Sequence, residues 1–524
     1  MEFTLNGGGS FVDTTPHVTS FIAKADPSHV PIVYVFVASA LCLLFYRYKS
    51  ISSSRHTAPL INPKRPFELT NERPRREFIA NCRSIIHSWF KSHPNKPARV
   101  NGDIGEYTIL PPSMIVEVDK EHLVSLTRWS YKYFHANIPG FEAFLEGSND
   151  NQVVRNVILK FLTTKNLAKV TEPLKEEVGL ALSDLFTEDK EWHSVPLRPT
   201  VARLVARMAF RVFLGEPLCR DEAWLKIATE YATTGWQAAN ELRDWPEILR
   251  PYVHWFLPMC TAARAQVKAA RDIISPHVEK RRELRSQGHK FNDALEWFEE
   301  ASKGAPYDPV IIQLILSLAA LHGTTDLICQ VMTQIAKHPE MVGPLREEFL
   351  AVIKASGLTQ NGLTQMKLLD SFIKECQRVK PIHSATMRRV ALQDLHLSDG
   401  TVIPKGGMLA VSTHRFWDPS VHANPDVFDA YRWLRMGEQP GKTNFAQLIS
   451  TSPDHLGFSH GLHACPGRFF AAKEVKVAII HLLSKYEWKT PDDWVETNPE
   501  NSFNIATDPW LKIQIRRRED KITV

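Results

Sequence analysis

Between about residues 75 and 350 apolar side chains recur at three- and four-residue spacing, as in FIANCRSIIHSWF, so this stretch reads as chiefly helical with few strands. The longest helical candidate opens at Asp308-Pro309, an acceptor side chain at the cap followed by proline in the first turn, and runs to about His338 before Pro339. At 1.5 Å per residue that is about 45 Å of helix. Its middle, LILSLAALHGTTDLICQVM, is apolar almost all round, which predicts burial through the centre of the fold. Polar residues interrupt it at one place, His322 to Asp326, and on pattern alone that interruption reads as close packing with satisfied hydroxyls.

The pattern changes beyond residue 360. A short helix is expected around 368–379, and a hairpin over 395–403 with Ser398-Asp399-Gly400 as its turn. A strand is expected over 408–413, and an amphipathic helix over 468–486. Neither an internal repeat nor a low-complexity linker divides the body, so the fold class predicted is mainly α with small β-sheets in a single large domain.

The amino terminus has a different texture. Residues 30–46, VPIVYVFVASALCLLFY, carry no charge and would span most of a bilayer's hydrocarbon core. About thirty mostly polar residues precede them and no small-residue cleavage site follows, which favours an uncleaved transmembrane anchor over a signal peptide. Arg47, Lys49, Arg55, Lys64 and Arg65 lie downstream against Lys24 upstream, which orients residues 1–29 to the lumen and the bulk to the cytosol. Residues 47–66, basic and stiffened by Pro59, Pro63 and Pro66, read as a connector to a folded body at 67–524.

Composition narrows the function classes. With 44% hydrophobic and 23% charged residues in 524, the chain has ample material for a core. A net charge of +5 is too small and too evenly spread for nucleic acid to be the main partner. Seven cysteines, an odd number without a C-x-x-C, do not read as a disulfide framework and suit a reducing compartment.

The most informative stretch is Phe458-Ser-His-Gly461-Leu-His463-Ala-Cys465-Pro-Gly467, between a polar loop and the start of a helix. Glycines at 461 and 467 permit backbone conformations and close approaches that a side chain would block. The Cys465 sulfur lies near a helix amino terminus, where free N–H groups favour negative charge and are expected to lower the thiol pKa. The bland alternative is a buried structural cysteine, and the spacing around it argues against that.

This segment resembles the haem-binding signature of cytochromes P-450, Phe-x-x-Gly-x-(His/Arg)-x-Cys-x-Gly. Glu375-Cys-Gln-Arg378 matches that family's Glu-x-x-Arg element, whose two side chains share a helix face, and Arg432 in PDVFDAYRW is similar to the arginine that completes a three-way bridge with them. The resemblance covers about residues 60 to 515 and implies the P-450 fold. It implies a haem b with Cys465 as the axial ligand of iron, Phe458 packed against the sulfur, and His463 donating to a propionate. Arg389 in MRRVAL resembles a second propionate partner, with adjacent Arg388 the alternative. The early-helix propionate element is not recognisable near VVRNVILKFLT, where Arg155 or Lys160 would have to substitute.

In the central helix the family usually carries Ala/Gly-Gly-x-Asp/Glu-Thr-Thr. Here His322 stands at the acid position and Gly323 where the threonine is expected. Either a one-residue shift or a π-bulge presents Thr324 as the hydroxyl with His322 supporting it, or water or a substrate hydroxyl carries the protons. The resemblance further implies a monooxygenase that uses O2 and NADPH-derived electrons from a membrane-bound reductase, docking where Arg468, Lys473, Lys476 and Lys485 would form a basic face. It places the chain as a single-pass protein of the endoplasmic reticulum, in contact with membrane lipid. Similarity to fungal ent-kaurene oxidase and indole-diterpene oxidase members points to an apolar substrate, terpenoid or meroterpenoid, in secondary metabolism. A haem-thiolate isomerase or dehydratase that needs no reductase, and a non-catalytic haem- or lipid-binding membrane protein, are the rival readings.

Overall fold

The computed structural model of the chain describes residues 38–39, 57–120, 122–147, 153–162 and 164–519. The chain divides into two units, Met1–Thr57 and Ala58–Val524. Apart from residues 38–39 and Thr57, the expected lumenal segment, anchor and first part of the connector lie outside the described residues.

The body begins earlier than the proline pattern suggested. Arg99 N–H donates to Pro59 O at 2.7 Å and Ile61 N–H to Arg99 O at 2.9 Å, so this stretch lies along the first strand. Buried Asn62 exchanges hydrogen bonds with Asn101, donating to its carbonyl at 3.1 Å and accepting from its N–H at 2.7 Å. Residues 58–62 therefore belong to the folded body, and the connector does not extend to 66.

Helices dominate. The central helix is Pro309–Lys337, and its amino terminus is capped as its sequence predicts: the Asp308 carboxylate accepts from Val310 N–H at 3.0 Å and Ile311 N–H at 3.2 Å. Residues 310–317 and 324–335 are wholly buried. Among the described residues it is the one helix long and apolar enough to cross a membrane, but here those properties serve the interior of the body. Around it pack the helices Leu197–Phe213, Lys367–Val379 and Arg468–Lys485. The last of these departs from the amphipathic expectation, because Phe470 and residues 472–484 are all buried. It lies between the central helix and the helix Thr164–Phe186 rather than on the surface.

The described strands are short: β1 (Ala98–Asn101), β2 (Glu106–Leu110), β3 (Val124–Ser125), β4 (His193–Pro196), β5 (Ala385–Ala391), β6 (Leu395–His396), β7 (Val402–Ile403), β8 (Met408–Ser412), β9 (Tyr486–Lys489), β10 (Glu500–Asn501), β11 (Asn504–Ile505) and β12 (Lys512–Arg517). The largest sheet has the order β1-β2-β8-β5-β3, with β2 and β8 parallel and its other pairs antiparallel. β6 and β7 form the expected hairpin, whose Asp399 carboxylate accepts from Thr401 N–H at 2.9 Å. A register shift interrupts the β5–β8 ladder between Thr386 and Arg389, where Met387 adopts φ 53°. The result is a mainly α fold with small β-sheets.

Candidate active site

The Cys465 loop is closed on itself. Cys465 N–H donates to Phe458 O at 2.8 Å, and Cys465 O accepts from the Arg468 guanidinium at 2.9 Å. Gly461 has φ 66°, and a Cβ there would fall 1.6 Å from Asp119 Oδ2, which itself accepts from Leu462 N–H at 3.0 Å. Backbone conformation and close approach both demand glycine at this position. Gly467 differs: beyond its own chain neighbours, no described atom lies within 4 Å of where its Cβ would be. Leu462 O accepts from Arg155 at 2.6 Å, so one of the two candidates in the early helix does reach the loop. The other, Lys160, lies over the ring of Phe161 instead.

Six cysteines are described; five are buried and Cys465 alone keeps partial exposure. Burial pushes its thiol above the ordinary value, against the Gly467 and Arg468 N–H groups and the Arg468 charge, which favour the thiolate. The expectation that the helix end lowers this pKa is thus not met by the polypeptide alone, because desolvation outweighs the oriented N–H groups. A coordinated metal cation reverses that balance, since it deprotonates a ligating thiol outright. Phe458 is partly buried and packs against the main core. His463 closes the turn Gly461–His463, and its side chain lies outside the described atoms.

Glu375, Arg378 and Arg432 come together as the resemblance implies. Glu375 and Arg378 are both fully buried, and Arg378 donates from Nε and Nη2 to the two carboxylate oxygens at 2.9 Å each. Its remaining N–H groups go to Phe416 O and Pro425 O at 2.7 Å and Val427 O at 3.3 Å. Arg432 Nε donates to the same carboxylate at 3.0 and 3.2 Å, and Trp433 Nε1 adds a contact at 3.1 Å. Every polar atom of the pair is engaged, which is the condition under which a buried charge is tolerated.

The central helix is buried on all sides except at one place. Ala319 is exposed and Leu318, Ala320, His322 and Gly323 are partly so, while the turns before and after are closed. Residues 319, 322 and 323 share one face at i, i+3, i+4 spacing, so an opening runs along that face rather than the tight packing expected from pattern alone. The helix stays α-helical throughout 319–326, without a π-turn. Gly323 lies on the open face, and a Cβ there would touch Ile382 Cδ1 at 3.6 Å. Thr324, one residue on, is buried. Among the described residues His322 Nε2 has no hydrogen-bond partner, and burial, with a smaller contribution from Arg198, holds the imidazole below its usual pKa. A neutral ring with one free nitrogen is the consequence.

The β5 irregularity separates two consecutive arginines. Arg388 stacks over Trp129 and Phe503 at 4.9 and 5.7 Å. Arg389 is buried at 5% exposure, and its guanidinium donates to Arg388 O at 2.7 Å. Burial pushes its pKa down to about 10, with Asp119 opposing. Two of the cations assigned to a docking face are not available for one: Lys473 donates to Leu167 O and Thr171, and Lys476 to Leu363 O and Asp370, all inside the body. The patterning signal failed there because a lysine stem buries easily when its ammonium finds carbonyls. Asp119 and a buried Asp326–Lys380 pair were not singled out from the sequence. No local spacing announces either.

A partly exposed cysteine at a helix amino terminus, a glycine without close described neighbours, an open stripe on an otherwise buried helix and a buried guanidinium fit a flat, anionic, metal-bearing group such as haem. Comparison with known proteins agrees. The family model "Cytochrome P450" matches residues 116–513. The cytochrome P450 monooxygenase TRI1 of Fusarium sporotrichioides is 45% identical over 465 residues, covering 88% of this chain and 85% of that protein. The dihydromonacolin L monooxygenase LovA of Aspergillus terreus is 40% identical over 492 residues, 93% of this chain and 92% of the relative. Among solved structures, the cytochrome P450DA haem domain superposes with a TM-score of 0.68 at 17% identity, covering 89% of this chain and 99% of that one, a likeness of fold. The match of the family model over most of the body, with such relatives along nearly the whole chain, establishes that this chain belongs to the cytochrome P450 family and is a monooxygenase.

Proposed function

We propose that the chain oxidises an apolar small molecule of secondary metabolism, a terpenoid or meroterpenoid, with Cys465 as the thiolate ligand of a haem b iron. The observation that carries this reading is the closed loop in which Cys465, alone among the described cysteines, keeps partial exposure, together with the buried Glu375–Arg378–Arg432 bridge. When bound, the haem supplies reductive activation of dioxygen and insertion of one oxygen atom into a C–H bond. The polypeptide holds and surrounds it. Phe458 keeps water from the sulfur, Gly467 leaves room for the ring, and Arg389 and His463 bind propionates, Arg389 being a buried cation well suited to an anion.

Protons reach the site through the open stripe. His322, neutral and with Nε2 unpartnered, accepts and returns a proton at that atom, and ordered water or a substrate hydroxyl carries it past Gly323, because the regular helix keeps Thr324 buried away from the open face. Ala319, Ala320 and Leu318 make the wall beside them apolar, which suits an apolar substrate. The name of the dihydromonacolin L monooxygenase supports a small-molecule substrate.

Electrons come from NADPH through a membrane-bound reductase. Residues 30–46 anchor the chain in the endoplasmic reticulum, with 1–29 lumenal and the body cytosolic. A cluster of exposed apolar side chains supports contact with lipid: Ile248, Tyr252, Trp255 and Phe256, the last 86% exposed, fall between the helices Glu222–Arg243 and Pro258–Ser286. Reduction of the full-length membrane protein under carbon monoxide tests the core of the reading. A Soret band at about 450 nm is expected, together with NADPH consumption that depends on added reductase. Absence of the band overturns the thiolate assignment, and turnover without reductase overturns the monooxygenase cycle in favour of rearrangement.

A further inference from the structure

Asp326 lies one helical turn beyond His322 on the same face of the central helix, and it is the centre of a buried knot. Its Oδ1 accepts from Thr507 N–H at 2.8 Å, Thr507 Oγ1 at 3.0 Å and Arg198 Nη1 at 3.2 Å, while Oδ2 accepts from Lys380 Nζ. Lys380, the residue that ends the Glu375 helix, also donates to Thr507 Oγ1 at 3.1 Å. Asp326, Lys380 and Thr507 are each at most 4% exposed. Burial opposes the charge on Asp326, yet Lys380, the Thr507 N–H and Arg198 together more than compensate and hold the carboxyl below its usual range.

The segment tied down by this knot pairs with the stretch that brings Ile382 to the opening. Ile505 N–H donates to Ile382 O at 2.8 Å and Ser384 N–H to Phe503 O at 2.9 Å, so residues 503–505 run along 382–384. Ile382 is the side chain nearest to the bare Gly323 position, at 3.6 Å from its absent Cβ. One edge of the 503–507 segment, which contains β11, is thus hung on the approach to β5, and the other on the central helix. Apolar contacts would let that second edge slide, whereas a hydrogen-bonded ion pair has one geometry. A buried pair is a poor way to gain stability compared with apolar packing, so its value lies elsewhere.

We propose that Asp326 and Lys380 are positioning residues, which lock the 503–507 segment, and with it Ile382, against the central helix and so set the width of the substrate cleft. This rests on the active-site reading above. The test compares wild-type holoprotein, Asp326→Asn, and the uncharged double variant Asp326→Asn/Lys380→Met, using two probes of different girth: imidazole, and the bulky azole clotrimazole. In Asp326→Asn imidazole binding is expected to be unchanged, while clotrimazole binds about tenfold more weakly because the competent cleft is populated only part of the time. Hydrogen exchange should rise together in peptides covering 319–327 and 501–509, and stay constant in 455–470.

The double variant separates positioning from charge balance. It should regain thermal stability yet keep the altered azole ratio and exchange pattern. Wild-type behaviour in Asp326→Asn, or restoration of both readouts in the double variant, overturns the proposal. If wild-type protein shows no azole-induced optical shift, the haem reading has failed instead, and the exchange measurement alone still decides the positioning role: local loosening supports it and no change overturns it.

Discussion

Glu375 and Arg378, three residues apart on one helix and both without any solvent exposure, exchange two hydrogen bonds of 2.9 Å while the arginine spends its other three N–H groups on the carbonyls of 416, 425 and 427. The pair therefore ties the helix to the irregular segment that carries Arg432. Arg378→Lys keeps the charge but forfeits the fork, and it should cost about 3–5 kcal/mol with loss of bound haem, as expected when one partner of a buried pair is compromised. Chemical denaturation and the haem-to-protein absorbance ratio would check it; wild-type values for both would refute the structural role.

Cys465→Ala should abolish the 450 nm band, and Cys329→Ala and Cys376→Ala should leave its position unchanged, because both of those thiols are buried away from any opening and held protonated by desolvation. The carbon monoxide difference spectrum decides between them.

Gly461→Ala faces two penalties, a φ of 66° and the Asp119 carboxylate 1.6 Å from the new methyl. A loss of about 1–3 kcal/mol is expected from backbone strain alone. Gly467→Ala, with no neighbour within 4 Å, should leave the stability of the haem-free polypeptide nearly unchanged yet impair haem retention. Equal thermal shifts for the two haem-free variants would contradict this difference.

Glu474 is fully buried, neither carboxylate oxygen has a hydrogen-bond partner among the described residues, and desolvation holds it well above its ordinary value of 4.5. The folded state binds this proton more tightly than the unfolded chain does. Stability is therefore lost as pH rises above about 4.5, up to the folded-state pKa. Glu474→Gln should remove that dependence, so its melting temperature relative to wild type should climb between about pH 5 and about pH 8. A constant difference across that range would show that the group titrates normally.

Local signals were legible and distant ones were not. Asp308-Pro309 and Pro339 mark the ends of the central helix because capping and proline sterics act within one turn. Glu375 and Arg378 are legible for the same reason, and the Cys465 loop because its residues are consecutive. Asp119, 343 positions from the Leu462 N–H that it accepts, has no such signature. Lys473 and Lys476 misled for a physical reason: charge in a helical pattern suggests water, yet each ammonium is solvated by backbone carbonyls inside. The interruption at His322–Asp326 reads as packing in sequence and combines an open face at 322–323 with a buried ionic centre at 326, a distinction that depends on which neighbours arrive.

The central helix is held at Asp308 and again at Asp326, and between those two points it has no turn of irregular pitch. Rotation about its axis is closed to it, so the chain cannot accommodate a new substrate by swivelling fresh side chains into view. Adaptation has to proceed by exchanging individual residues such as Ala319 and Ala320, whose small size leaves room for growth, and a deletion or insertion anywhere between 309 and 326 would dismantle the window instead of reshaping it.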